Sequence, residues 1–381
     1  MLQPCHDKFN TQFSSLVEMM NYHSQLAKSS KWERIGVSDL RVAPLDRNSP
    51  LFGSTSKFAP GVSEDAVVDT ADNLGLAVKL NGQYYPVRDT AYKGLLDRAK
   101  IGGSSLPKLT RKELAGMLNS CLKLYSGSST LVLVRDEKVT ATHSGDESDY
   151  SVLEIPDLIK TLQSKLDDRF PGNSFEAGYS DHALTSAYWT MPDQREDLLG
   201  AYEKILDAKG KGPQISQLMP GIQFSTSDTG FAAAKVAALL VGSAYPIYIG
   251  GIVAVEHRWQ KKVEDFKNEL DQLFAQFGDT VANLIKLESI DLEYPVNAMT
   301  RVCKKLSMPK KEAVGAIAMF EITYGGGAAT AHDVFMAMQE IPFLLKGQGC
   351  SESKLILLGE NMARALTLDW EKYDLAKAVE Y

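Results

Sequence analysis

Between Phe231 and Val255 the chain runs 25 residues, FAAAKVAALLVGSAYPIYIGGIVAV, with Lys235 as its one charge. A run of that length and polarity either crosses a membrane or must be wrapped by the rest of a packed core, so it constrains the fold more than any other segment. Gly242-Ser243 and Pro246 divide it into an Ala/Leu/Val half with helical character and a Tyr/Ile/Val half with strand character. A membrane span keeps one secondary structure throughout, because each backbone polar group must be bonded within the segment. The stretch therefore reads as a buried helix followed by a buried strand, and no membrane partner is expected.

Wrapping such a run takes a large core. The chain has 381 residues, 44% hydrophobic and 23% charged, enough for one large domain or two modest ones. Its formal charge of −7 gives no general attraction to nucleic acid or anionic membrane, so a polyanion would have to be held by a local patch. Cys5, Cys121, Cys303 and Cys350 lie far apart with no C-x-x-C pair, which argues against a zinc knuckle or a disulfide framework. Reduced thiols fit a cytoplasm. The opening MLQPCHDKFNTQF lacks a basic stretch followed by an apolar one, so no secretory signal is expected and the location inferred is cytoplasmic.

Residues 1–73 read as an N-terminal arm or linker, with one weak amphipathic pattern near Phe9 to Leu26 and a Ser/Pro/Asp-rich stretch from Asp46 to Asp72. Residues 74–257 read as an α+β sheet core. Leu76 to Leu80, Asn81-Gly82 and Gln83 to Val87 spell strand, type I′ turn and strand. Asp89 or Thr90 then caps a helix carrying Tyr92, Leu95 and Leu96, and Thr110 with Glu113 forms a capping box ahead of Leu114, Met117, Leu118 and Leu122. Leu131 to Arg135 and Lys138 to His143 make a second hairpin, Ile155 to Leu166 a helix, and Ser174 to Met191, Gly221 to Ser227 and Pro246 to His257 further strands. Successive hairpins predict a largely antiparallel sheet with helices packed on it.

Residues 258–381 read as a helical C-terminal region packing on that core. Val263, Phe266, Leu270, Leu273 and Phe277 recur at spacings of three and four, which describes a long helix whose narrow apolar seam packs within the same chain. Further helices are expected around Lys310 to Phe320, Ala331 to Leu345 and Ser353 to Leu368.

Chemistry-bearing patterns are sparse. Asp181-His182, Glu256-His257 and His332-Asp333 each set a carboxylate beside an imidazole, but adjacency on a strand sends the two side chains to opposite faces. There is no H-E-x-x-H, no H-x-E with paired cysteines and no G-x-S-x-G, so no metal, cofactor or catalytic residue is expected. An enzyme would need one of these histidine–acid pairs to converge in space. Gly325, Gly326 and Gly327 precede a helix opening near Thr330 without the Lys-Ser/Thr of a phosphate loop; their amides either hold an anion or serve a turn.

The densest basic cluster is Arg301, Lys304, Lys305, Lys310 and Lys311, in RVCKKLSMPKKE. With Arg258, Lys261 and Lys262 it would track a phosphate backbone, and Tyr84, Tyr85, Tyr188 and Trp189 offer stacking faces for single-stranded bases. The alternative is a solvated helix end with buried aromatics.

The order of segments LGLAVKLNGQYYPVRDTAYKGLLDRAKI, LVLVRDEKVTATHS leading into EIPDLIKTL, GIQFSTSDTG, YPIYIGGIVAVEHRW and YGGGAATAHDVFMAM resembles the domain-of-unknown-function 932 family of phage and plasmid proteins, over roughly residues 74–345. Members often carry Cys-x-Asn-Gly where this chain has Tyr248-Ile-Gly-Gly251, with an imidazole and a guanidinium following at His257-Arg258. The resemblance implies a mobile-element origin and a setting near replication, recombination or anti-restriction functions, and supplies no activity. The expectation is a non-enzymatic protein associated with nucleic acid, as an oligomeric single-strand binding or annealing factor. The alternative is a protein-interaction role, as a phage assembly subunit or an inhibitor of a host defence system. Partners expected are single-stranded nucleic acid, further copies of the chain, or a phage or host protein.

Overall fold

In a computed structural model that describes residues 3–146, 148–212, 216–242, 245–324 and 327–381, the chain opens with β1 (Asn10–Phe13), α1 (Leu16–Ser29), β2 (Lys31–Gly36), β3 (Arg41–Pro44) and α2 (Glu64–Asp72). The hairpin β4 (Leu76–Leu80) and β5 (Gln83–Pro86) leads to α3 (Asp89–Ala99) and α4 (Arg111–Leu122), then to the hairpin β6 (Ser129–Arg135) and β7 (Lys138–Ser144) and to α5 (Ile155–Arg169). A meander follows: β8 (Ser174–Asp181), β9 (Thr185–Thr190), α6 (Arg195–Ala208), β10 (Met219–Thr226), β11 (Ala234–Val241) and β12 (Ile247–Val255). The remainder comprises α7 (Val263–Glu288), β13 (Asp291–Leu292), α8 (Pro295–Lys305), α9 (Lys310–Tyr324), β14 (Ala329–Thr330), α10 (Ala331–Met338), α11 (Glu340–Gly347) and α12 (Glu352–Met362).

The class is α+β, with a six-stranded antiparallel sheet in the order β1-β8-β9-β10-β11-β12 and a helical C-terminal region. Local signals explain the turns. Asn81 and Gly82 both take positive φ, 49° and 87°, as a type I′ turn demands, and Thr110 and Glu113 exchange the two hydrogen bonds of a capping box. The apolar seam of α7 lies buried within the same chain, against β12 on one side and against α5, α6 and α10 on the other.

Among the described residues there are two large apolar cores and a small third one around Leu45, Leu51, Phe58, Val67 and Ala77. Of the two large ones, the larger joins β8–β12 to α5–α12 and runs through residue 258 without a break; the smaller lies within residues 37–139, where the sheets β2-β6-β7 and β3-β4-β5 are covered by α3 and α4.

Three expectations change. Residues 1–73 are not an irregular arm: β1 pairs with β8, β2 with β6 and β3 with β4. The pairing partners lie far along the chain, and the first residues are held by charge rather than by apolar bulk. Fully buried Lys138 bonds Asp7 at 2.9 Å and also Asp69, while fully buried Arg88 donates to the carbonyls of Pro4 and His6 at 3.2 and 3.1 Å. Secondly, Ala234–Val241 is a strand and not a helix. It sits between β10 and β12 with both faces covered, and that burial overrides the helical preference of its Ala and Leu residues. Thirdly, His332-Asp333 stands in the first turn of a helix, where neighbours project about 100° apart instead of to opposite faces. Among the described residues no helix is long and apolar enough to cross a membrane.

Candidate functional site

A cleft of about 990 Å³ opens where the smaller core meets the main sheet. One wall is α3, whose Thr90, Lys93, Gly94, Asp97 and Arg98 recur at helical spacing and so share a face. The opposite wall is the β10–β11 turn with Thr229, Gly230 and Phe231, and the rim is the end of β12, Glu256 to Trp259. A second hollow of about 700 Å³ continues from it, sharing Arg98, Ser144 and Asp149 and adding Arg34, Lys100 and Gln260. Gly94 sets the width: a Cβ there would lie 2.1 Å from the Thr142 carbonyl oxygen, so only glycine lets α3 rest on β7.

The cleft floor is an aromatic stack. His143 lies parallel to Tyr150 at 3.6 Å between ring centres, with His257 5.7 Å beyond Tyr150 and Trp32 about the edge at 6.0 Å from His143. The Asp228 carbonyl accepts from His143 Nε2 at 2.8 Å and from the Tyr150 hydroxyl at 3.0 Å. The Asp228 carboxylate pairs with Arg135 at 2.7 Å, so this floor also ties β6 to the β10–β11 turn. Burial drops the His143 imidazole to about 4 and pushes the Tyr150 phenol up, so both are neutral near pH 7.

At the rim the chain changes character. Trp259 is 67% exposed and Phe231 44%. Trp259 and Gln260 occupy consecutive left-handed positions, φ 59° and 57°, a costly backbone for non-glycine residues, and the Trp259 amide is anchored to the Ser148 carbonyl at 2.7 Å. Held strain here keeps a large indole in solvent. Lys93, Arg98 and Lys100 carry no ion pair among the described residues, and Arg98 Nε is buried without a hydrogen-bond partner. Asp89, Asp97, Asp149 and Glu256 line the same cleft, so its charge is mixed.

The residues singled out in the sequence are dispersed. Arg258 lines the cleft; Lys261 and Lys262 are exposed just beyond it, with Lys261 bonded to Asp265 at 3.2 Å. Arg301 and Lys304 lie past the other end of α7 and donate to the carbonyls of Lys377 and Glu380, in a C-terminal strap over α8. Lys305, Lys310 and Lys311 are exposed. No hydrogen bond or ion pair among the described residues joins the first group to the second. Gly325 and Gly326 lie outside the described residues; Gly327 donates its amide to the Tyr324 carbonyl. Trp189 cannot stack on a ligand: it is fully buried and donates to Gln163 at 2.8 Å. Tyr84, Tyr85 and Tyr188 are half-buried.

A second constellation, absent from the sequence reading, lies beneath α10. Glu288 at the end of α7 meets Thr330, His332 and Asp333, and these three acid–base side chains offer ligand atoms within 4.8 Å of one another. All are buried; Lys211 reaches Glu288 at 2.8 Å and Asp333 at 2.7 Å, and Lys209 reaches Glu288 at 3.1 Å. Tyr202 bonds His332 Nε2. Burial takes His332 down to about 4, and at Glu288 the bonds from Lys211, Lys209 and Thr330 outweigh burial and lower its carboxyl. No local spacing reveals this site, because Glu288 and His332 come from different helices.

Comparison with known proteins finds no matching family model, no similar curated protein and no similar solved structure.

Proposed function

We propose that the chain binds single-stranded nucleic acid along the inter-module cleft, without catalysing a reaction on it. The observation that carries this reading is Trp259, an exposed indole on strained backbone at the mouth of a cleft whose α3 wall presents Lys93 and Arg98, with Lys100 in the adjoining hollow, three cations without an ion pair among the described residues. Aromatic faces stack on any base, worth about 1–3 kcal/mol each, and cations along the groove neutralise phosphates with release of counterions. The four carboxylates lining the same cleft oppose this, so few phosphates are engaged and binding is expected to be strongest at low salt. Trp259 also supplies the assay, because Trp189 and Trp370 are buried and Trp32 packs against His143. Titration with an unlabelled thymidine oligomer should quench the exposed indole at low salt and not in Trp259→Phe; no quenching and no binding removes the proposal.

One further observation favours a protein partner in addition. Val314, Met319 and Ile322 on α9 and Phe343 on α11 are exposed, Ile322 by 83%. Exposed apolar side chains on two helices in contact suit another copy of the chain or a phage or host protein. Light scattering that reports a monomer at all concentrations would remove the homo-oligomer.

A further inference from the structure

We infer that Glu288, His332 and Asp333 form a binding site for a divalent transition metal, in which the ion would take over the two carboxylates that the Lys211 ammonium now bridges. The geometry suits a small ion. With donor bonds of about 2.1 Å a tetrahedral site has edges of about 3.4 Å, and His332 Nδ1 lies 3.2 Å from Glu288 Oε2. That approach is not aligned for a hydrogen bond, so among the described residues Nδ1 is a buried nitrogen without a partner, in a residue only 2% exposed, with the Glu288 and Asp333 carboxylates within 4.8 Å. Buried polar atoms are almost always satisfied, so an unpartnered imidazole nitrogen beside two carboxylates is suited to taking a ligand.

The surroundings complete the case. With His332 Nε2–H donating to the Tyr202 oxygen, the tautomer is set and Nδ1 presents its lone pair, the outer-shell bond that metal-bound histidines ordinarily make. Thr330 Oγ1 lies 3.0 Å from both Glu288 Oε2 and Asp333 Oδ2 and orients them. One nitrogen and two carboxylate ligands select Zn²⁺, Mn²⁺ or Fe²⁺ over Mg²⁺ or Ca²⁺, which take oxygen alone. Lys211 is 23% exposed and sits on the chain after α6, so its ammonium can swing into water as the metal enters. Two carboxylates then balance one divalent ion. Bound, the metal would fasten the end of α7 to the start of α10.

The test uses Co²⁺ as a coloured stand-in for Zn²⁺. The full chain is equilibrated with CoCl₂, freed of excess metal, and assayed for metal content and visible absorption. Expected are one Co²⁺ per chain with the intense bands of a low-symmetry four-coordinate ion, and loss of both in His332→Asn. Lys211→Met, which removes the competing ammonium, should bind about tenfold more tightly. Should His332→Asn misfold by circular dichroism, Lys211→Met decides alone. No Co²⁺ retained by the wild-type chain, retention unchanged in a folded His332→Asn, or affinity not raised in Lys211→Met overturns the site.

Discussion

Replacing Lys138 with Met keeps the length of the side chain and deletes its charge at the point where the first residues are fastened to the fold. Lys138 is fully buried and bonds both Asp7, 6% exposed at its side chain, and Asp69, 10% exposed. Removing one partner of a buried ion cluster leaves uncompensated charge and costs about 3–5 kcal/mol. Here Arg88 remains 3.4 Å from Asp7 and His6 3.1 Å from Asp69, which places the expected loss at the lower end, about 3 kcal/mol. Urea unfolding followed by circular dichroism measures it against Lys112→Met, an exposed substitution on α4 expected within about 0.5 kcal/mol of wild type. Hydrogen exchange supplies the local readout: the Asp7 amide, bonded to Asp69 at 3.0 Å, and the Phe9 amide, bonded to the His6 carbonyl, should lose protection. Neutralising the other side as well, in Lys138→Met/Asp69→Asn, should recover part of the loss. A single substitution costing no more than the Lys112 control, with those amides still protected, would refute the claim that charge holds residues 4–7 in place.

Acid should unfold the chain early. Burial lowers His23, His143 and His332 to about 4 and His182 to about 3, whereas the unfolded imidazoles protonate near 6.5. The unfolded state therefore binds more protons between these values, so stability is full above pH 6.5 and falls steadily toward pH 4; a melting temperature flat across that window would contradict it. Gly94→Ala should drive α3 away from β7 and cost about 1–3 kcal/mol, read by thermal unfolding, because the added methyl meets the Thr142 carbonyl. Deleting residues 376–381 removes the carbonyl partners of Arg301 and Lys304. If the cleft is the binding surface, affinity for single strands stays within about twofold; a large gain would assign binding to α8 instead.

What the sequence made legible was what neighbours decide. Asn81-Gly82 predicts its turn because only residues tolerant of positive φ fit there, and Thr110 with Glu113 predicts a helix start because both groups of the cap lie within one turn. The Val263–Phe277 seam predicts a helix packed within the chain, yet could not say that a strand, β12, would share it with the helices α5, α6 and α10. Ala234–Val241 misled because burial between two strands overrides the preference of alanine and leucine. The N-terminal segment misled because its order comes from Arg88 and Lys138, which lie some eighty and more residues away. Long-range convergence equally hid the candidate sites. The cleft draws on α3, β7, the β10–β11 turn and the end of β12, and Glu288 reaches His332 across 44 positions. Trp259 carried a signal that was present and unused, a tryptophan beside three cationic residues, Arg258, Lys261 and Lys262.

The most direct trial of the account is the affinity of a fluorescently labelled thymidine oligomer, by anisotropy, for the wild-type chain and for Trp259→Ala at two salt concentrations. Expected are binding at low salt that weakens as salt rises and a loss of roughly 5- to 150-fold in Trp259→Ala, the equivalent of one stacked base. Absence of binding at low salt, or equal affinity in the two proteins, would contradict it.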